Sequence, residues 1–102
     1  MGLLDVVEIW TLSLRAIFEA GRVEILCKRS PPERPNPSLA LNLRRGAVEA
    51  DLLVWESGHA DLSTMGPDGA VTQEHFEDLK SVEDVAEVLA VLAAILPGPR
   101  QN

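Results

Sequence analysis

The chain has 102 residues with a single cysteine, and its 16 acidic residues against 9 basic ones give a net charge of −7. The length is that of one domain, and one cysteine excludes an internal disulfide. Because phosphate backbones repel negative charge, the acidic balance argues against nucleic acid as a partner.

Residues 3–20 are predicted to form an amphipathic helix, since apolar side chains recur at spacings of three and four. These positions are Leu3, Val6, Val7, Trp10, Leu14, Ile17 and Phe18. Gly21 is expected to end the helix as its C′ residue. Alternating residues over 23–28 then predict a first strand. Four prolines within 30–38 exclude regular structure and indicate an extended surface loop.

Four further stretches read as strands: residues 39–43, 48–56, 59–64 and, less clearly marked, 71–76. Ser57-Gly58 is predicted to be a two-residue hairpin loop in which Gly58 supplies a positive φ. That loop would pair Trp55 with Ala60 and Glu56 with His59. One face would then carry Leu53, Trp55, Ala60 and Leu62, and the other Val54, Glu56, His59 and Asp61.

A last helix is predicted to start at Ser81, with Asp84 completing a capping box. Its apolar side is Val85, Val88, Leu89, Leu92, Ile95 and Leu96, and the prolines at 97 and 99 stop it. The predicted fold is therefore a two-layer α+β domain. It has an antiparallel sheet of four or five strands, flanked in sequence by an N-terminal and a C-terminal helix that pack on one face. One domain is expected over residues 1–97, with a disordered tail at 98–102.

The sequence predicts a cytoplasmic protein that has no membrane segment. The first residues lack the basic flank of a secretory signal, and the longest apolar run, Val88–Leu96, is nine residues. A bilayer-spanning helix needs about 20. The charge is also uneven, with a net of +2 over residues 1–45 and −9 over 46–102. An acidic half of this kind suits a basic protein partner.

No catalytic residues, metal site or cofactor are expected. Ser57, His59 and Asp61 crowd around a tight turn, where the Ser57 and His59 side chains would point apart. A zinc site would need His59 and His75 together with a carboxylate such as Asp61 or Glu74, and the spacing of these residues does not favour one. A small hydrolase or metalloenzyme is accordingly the third-ranked hypothesis.

The third strand is apolar on both sides, with Val48, Ala50, Leu52 and Val54 on one face and Leu53 and Trp55 on the other. Only one face can lie under the helices. Two alternatives follow for the other face: it is exposed and contacts a partner or a second copy, or the proline-rich loop covers it. The first alternative also supports a homodimeric structural or chaperone-like module as a second hypothesis for the function.

The order of elements, with Leu-Val-Trp-Glu-Ser-Gly-His-Ala-Asp-Leu at 53–62, resembles the TriTu immunity protein family of bacterial polymorphic toxin systems. The resemblance covers nearly the whole chain. It rests chiefly on Trp55, Glu56, Gly58, Asp61 and Leu62, with Glu74-His75 as a weaker match. It implies a non-enzymatic antidote that binds a cognate protein toxin. From the sheet pattern and the charge we expect the contact residues to be Glu49, Asp51, Glu56, His59 and Asp61.

Overall fold

The computed structural model describes residues 2–31, 33, 35–79 and 81–95. Within these residues the elements follow in the order α1 (Leu3–Ala20), β1 (Glu24–Arg29), β2 (Ser38–Arg45), β3 (Val48–Trp55), β4 (Ala60–Met65), β5 (Val71–Phe76) and α2 (Val82–Ile95). The predicted tail at 98–102, the helix stop at 97–99 and Leu96 lie outside the described residues, as do the side chains of Leu92 and Ile95.

The five strands form one antiparallel sheet in the order β1-β2-β3-β4-β5. Because side chains alternate along a strand, the central three strands bury one face. That face carries Leu39, Leu41, Leu43, Ala50, Leu52, Val54, Ala60 and Leu62. These side chains share one core with Leu4, Val7 and Phe18 of α1 and with Val85, Val88 and Leu89 of α2. Both helices therefore cover the same face, which confirms the α+β prediction.

The stripe of α1 that faces the sheet is shifted from the predicted one. Leu4, Val7, Thr11 and Phe18 are buried, whereas Ile17 is 67% exposed. Thr11 is buried in the middle of this stripe. Its hydroxyl donates a hydrogen bond to the Val7 carbonyl at 2.9 Å, which satisfies the polar group inside the core. The predicted inclusion of Ile17 in the stripe was therefore wrong.

The C-terminus of α1 also differs from the prediction. Gly21 has an ordinary φ of −87°, and Arg22 adopts the left-handed conformation with a φ of 67°. The N–H of Val23 donates to the Phe18 carbonyl at 2.8 Å, and the N–H of Arg22 donates to the Glu19 carbonyl at 3.0 Å. This hydrogen-bond pair is a Schellman motif. Arg22, and not Gly21, is the C′ residue.

The β3–β4 loop has three residues, 56–58, so the prediction of two was wrong. The N–H of Trp55 donates to the His59 carbonyl at 2.8 Å, and Val54 pairs with Ala60. One extra loop residue shifts the β3–β4 register by one, so Val54, and not Trp55, shares a face with Ala60. That face is buried, and Trp55 lies with Leu53 on the opposite face.

Gly58 fits this loop for two reasons. Its φ is 107°, as predicted in sign, and an added Cβ would lie 3.2 Å from the Leu79 carbonyl oxygen. The N–H of Leu79 donates to the Gly58 carbonyl at 2.9 Å. The hairpin tip is thus packed against the segment that precedes α2.

The capping box of α2 is confirmed. The Ser81 hydroxyl accepts a hydrogen bond from the Asp84 N–H at 3.1 Å, and the Asp84 carboxylate accepts one from the Ser81 N–H at 3.2 Å. No helix in the described part of the chain is long and apolar enough to cross a membrane.

Candidate functional site: the open face of the sheet

The sheet face turned away from the helices, here named the open face, is built by the strand register. One row of side chains across it is Lys28, Ala40, Leu53, Asp61 and His75. The next row is Leu26, Asn42, Asp51, Ser63 and Gln73. A third row includes Arg44, Glu49 and Met65. The open face therefore mixes apolar side chains with carboxylates at its centre.

A shallow depression of about 620 Å³ lies over the middle of the open face. Its walls include apolar side chains from Leu26 and Leu53, carboxylates from Glu49, Asp51 and Asp61, and the basic side chains of Lys28 and Arg44. No described residue of the proline-rich segment 30–37 lines it. That segment instead lies beside the hairpin tip, where the Glu56 N–H donates to the Pro37 carbonyl at 2.9 Å. Ser30 and Pro31 border the open face beside Lys28 and Ala40, and none of the described residues of the segment covers its centre.

Two carboxylates meet at one amide on this face. The Asn42 side-chain amide donates to Glu49 Oε2 at 2.8 Å and to Asp51 Oδ1 at 2.6 Å. Within the described residues neither carboxylate has a Lys or Arg nitrogen within 4.0 Å, and Arg44 pairs with Glu24 instead, at 3.3 Å. A neutral amide leaves the full negative charge of both groups in place. This acidic pair, Glu49 and Asp51, is the part of the open face best suited to a cation.

A second polar pair lies where β4 meets β5. His75 Nδ1 donates to Asp61 Oδ1 at 2.5 Å, and His75 Nε2 lies 3.5 Å from Glu77 Oε2. The hydrogen bond to Asp61, together with the negative charges of Asp61 and Glu77, raises the pKa of the His75 imidazole. The His59 ring lies beside it, with centroids 5.8 Å apart.

The carboxylate of Glu56 points away from the open face and contacts the start of α1. Its Oε2 accepts a hydrogen bond from the backbone N–H of Leu3 at 3.1 Å. The same carboxylate lies where a Cβ on residue 2 would be, so a side chain in place of Gly2 would displace the Glu56 carboxylate from this contact. Among the five predicted contact residues, Glu49, Asp51 and Asp61 lie on the open face, and His59 lies at its edge. Glu56 lies away from the open face and caps α1, and its predicted role as a contact residue stays a prediction.

The two side chains considered as nucleophiles are those of Ser57 and Cys27. The Ser57 hydroxyl accepts a hydrogen bond from the Asn36 amide at 3.2 Å rather than contacting His59. Cys27 is half-buried on the helix side of β1, where burial raises the pKa of its thiol and so disfavours the reactive thiolate. The expectation that the chain is not an enzyme remains a prediction.

Asn42 and Glu77 were missed from the sequence. The strand register would have identified both: Asn42 pairs with Asp51, and Glu77 follows Phe76, the partner of Ala60 at the end of the β4–β5 ladder, where it lies near His59. Glu74, the carboxylate considered as a zinc ligand, pairs with Leu62 and so belongs to the helix side of the sheet.

Comparison with known proteins gave no match to a protein-family model, to a curated protein or to a solved structure. The resemblance to the TriTu immunity proteins therefore remains a hypothesis based on the residues quoted above.

Proposed function

We propose that this chain is a non-enzymatic immunity protein that binds and neutralises a cognate toxin of a polymorphic toxin system. The observation that carries the proposal is the acidic pair of Glu49 and Asp51, which is held by Asn42 above an uncovered depression. Two adjacent carboxylates with a neutral donor between them favour an external cation. Given the resemblance of residues 53–62 to the TriTu family, we take this cation to be a basic side chain of the toxin.

The depression fits a basic side chain of the partner. Leu26 and Leu53 offer apolar contact to the methylene stem of an Arg or Lys, while Glu49 and Asp51 bind its charged end. Arg is the better match, because its planar guanidinium can donate to two carboxylates at once. The net charge of −9 over residues 46–102 would also speed the encounter with a basic toxin. A toxin with a basic substrate groove, such as one that acts on nucleic acid, has the complementary charge.

The role is tested by co-expressing the full chain with the C-terminal domain of the toxin encoded next to it. We expect growth to be rescued and the two proteins to co-purify as one complex. A catalytically inactive toxin variant serves as the control for expression. Absence of both rescue and complex would contradict the proposal.

Apolar side chains on the open face support a homodimeric module as the second candidate. Leu26 is 67% exposed, and Leu53 and Trp55 are half-buried on the same face. The same face carries Lys28 and Arg44, and a twofold interface would have to set the acidic pair of one copy against these basic side chains of the other to avoid repulsion. Sedimentation equilibrium separates the candidates, since the immunity proposal predicts a 1:1 complex with toxin, whatever the state of the free chain. A stable dimer that no toxin binds would favour the module.

A further inference from the structure

The β4–β5 register gathers four metal-binding side chains at one corner of the open face. Asp61 pairs with His75, and just beyond the last pair of the ladder, Ala60 with Phe76, the side chains of His59 and Glu77 lie close together. Residues two apart in extended chain point to the same side, so all four side chains lie together. The 16 residues between the two histidines are therefore no obstacle to a shared site.

The distances suit a small cation. One ring nitrogen of each histidine and one Glu77 oxygen lie within 4.8 Å of one another. His75 Nε2 and Glu77 Oε2 are 3.5 Å apart. Ligand atoms around a tetrahedral zinc ion are separated by about 3.3 Å, given bonds of about 2.0 Å. The three side chains are exposed, so a small rotation of His59 is free to close the remaining gap.

Asp61 adds a feature beyond the three ligand atoms. Its carboxylate accepts the Nδ1–H of His75, which fixes the ring orientation and leaves Nε2 as the nitrogen free to bind. A carboxylate behind the histidine is the usual outer partner of a zinc-bound imidazole, where it increases the basicity of the ligand. The corner therefore has three ligand atoms and a group that orients one of them.

We propose that His59, His75 and Glu77 form a zinc site, with Asp61 as the positioning residue of His75. Two imidazoles and one carboxylate are a ligand set that zinc prefers. Three protein ligands leave a fourth position for water or for a side chain of a partner. The bound ion would tie the end of β5 to the start of β4. β5 is exposed on both faces over residues 71–75, so it is the strand that gains most from such a link.

The test is a zinc titration of the full chain without a polyhistidine tag. We expect uptake of one ion per chain and a rise in the unfolding midpoint on the order of 10 °C at zinc far above the dissociation constant. His59→Ala and His75→Ala should abolish uptake, and Asp61→Asn should weaken it by about tenfold to a hundredfold. Glu74→Gln is the matched control, because it removes a carboxylate beside His75 from the other side of the sheet.

A second measurement requires no variant. The chain has two histidines, so NMR of the wild-type rings reports on this site alone. Both ring signals should move together up to one equivalent of zinc. Absence of uptake, a shift of one ring without the other, or an equal loss of affinity in Glu74→Gln and Asp61→Asn would overturn the site. Toxin binding does not depend on this inference. Rescue of growth by a variant that cannot bind zinc, such as His75→Ala, would leave the proposed function intact.

Discussion

Glu56 caps the first turn of α1 by accepting the backbone N–H of Leu3 at 3.1 Å, across 53 residues of sequence. The first N–H groups of a helix lack partners within the helix, and a carboxylate there also interacts favourably with the helix dipole. The β3–β4 hairpin tip therefore stabilises α1. This contact explains why an acidic residue at the tip need not face a partner.

Glu56→Gln should lower the free energy of unfolding by about 0.5–1 kcal/mol, because it removes the charge that favours the helix N-terminus. Urea denaturation at pH 7 measures this change. Glu87→Gln on the exposed side of α2 is the control and should have a smaller effect. In buffer without urea, where the variant is folded, Glu56→Gln should bind the toxin with the affinity of the wild type. A large loss of binding would return Glu56 to the contact surface.

The three-residue loop makes a clear prediction for two neighbouring leucines. Leu52 is 1% exposed in the core, whereas Leu53 lies on the open face. Leu52→Ala should destabilise the domain by about 2–5 kcal/mol, and Leu53→Ala by about 1 kcal/mol or less. Thermal or urea unfolding of the two variants compares them directly. The reverse order would support the two-residue loop and its exchanged faces.

The left-handed conformation of Arg22 predicts a stabilising substitution. A residue with a Cβ is strained at a φ of 67°, and glycine is not. Arg22→Gly should raise the free energy of unfolding by about 0.5–1 kcal/mol after the added flexibility of the unfolded chain is counted. Arg22→Ala is the control, since it removes the same side chain and keeps the strain. Equal effects of the two variants would show that the backbone conformation has no energetic role.

Asp5 predicts a pH dependence of stability. The hydrogen bond from the Gly2 N–H and the contact with Arg29 at 3.0 Å lower the pKa of its carboxyl in the folded chain. A lowered folded pKa means that the stabilisation is present above the unfolded pKa of about 3.9 and is lost as the pH falls through the folded pKa. The stability difference between wild type and Asp5→Asn should stay constant from pH 7 to about pH 5 and shrink below about pH 4. A difference that grew in acid would contradict this sign.

The sequence predicted the elements well because the signals are local. The apolar spacing of α1, the alternation of the strands and the Ser81–Asp84 capping box each lie within one element. The loop length did not follow in the same way, since Ser57-Gly58 suits a loop of two or of three residues. Burial of Val54 and the backbone contact of Gly58 with Leu79 decide between them, and both depend on distant parts of the chain.

The same limit applies to the candidate site. Glu49, Asp51 and Asp61 could be assigned to an acidic surface from charge alone, but their partners could not. Asn42 reaches Glu49 and Asp51 only through the β2–β3 register. The contact of Glu56 with Leu3 was not foreseen, because it depends on how α1 lies against the hairpin.

The claim that the acidic pair binds the toxin is tested most directly by the affinity of two double variants for the purified toxin domain. Glu49→Gln with Asp51→Asn removes two charges from the open face, and Glu83→Gln with Glu87→Gln removes two from α2. Both lower the long-range attraction similarly, so a difference between them reports direct contact. We predict that the first weakens binding at least about tenfold more than the second. Equal affinities, or a greater loss from the α2 variant, would contradict the assignment of the open face.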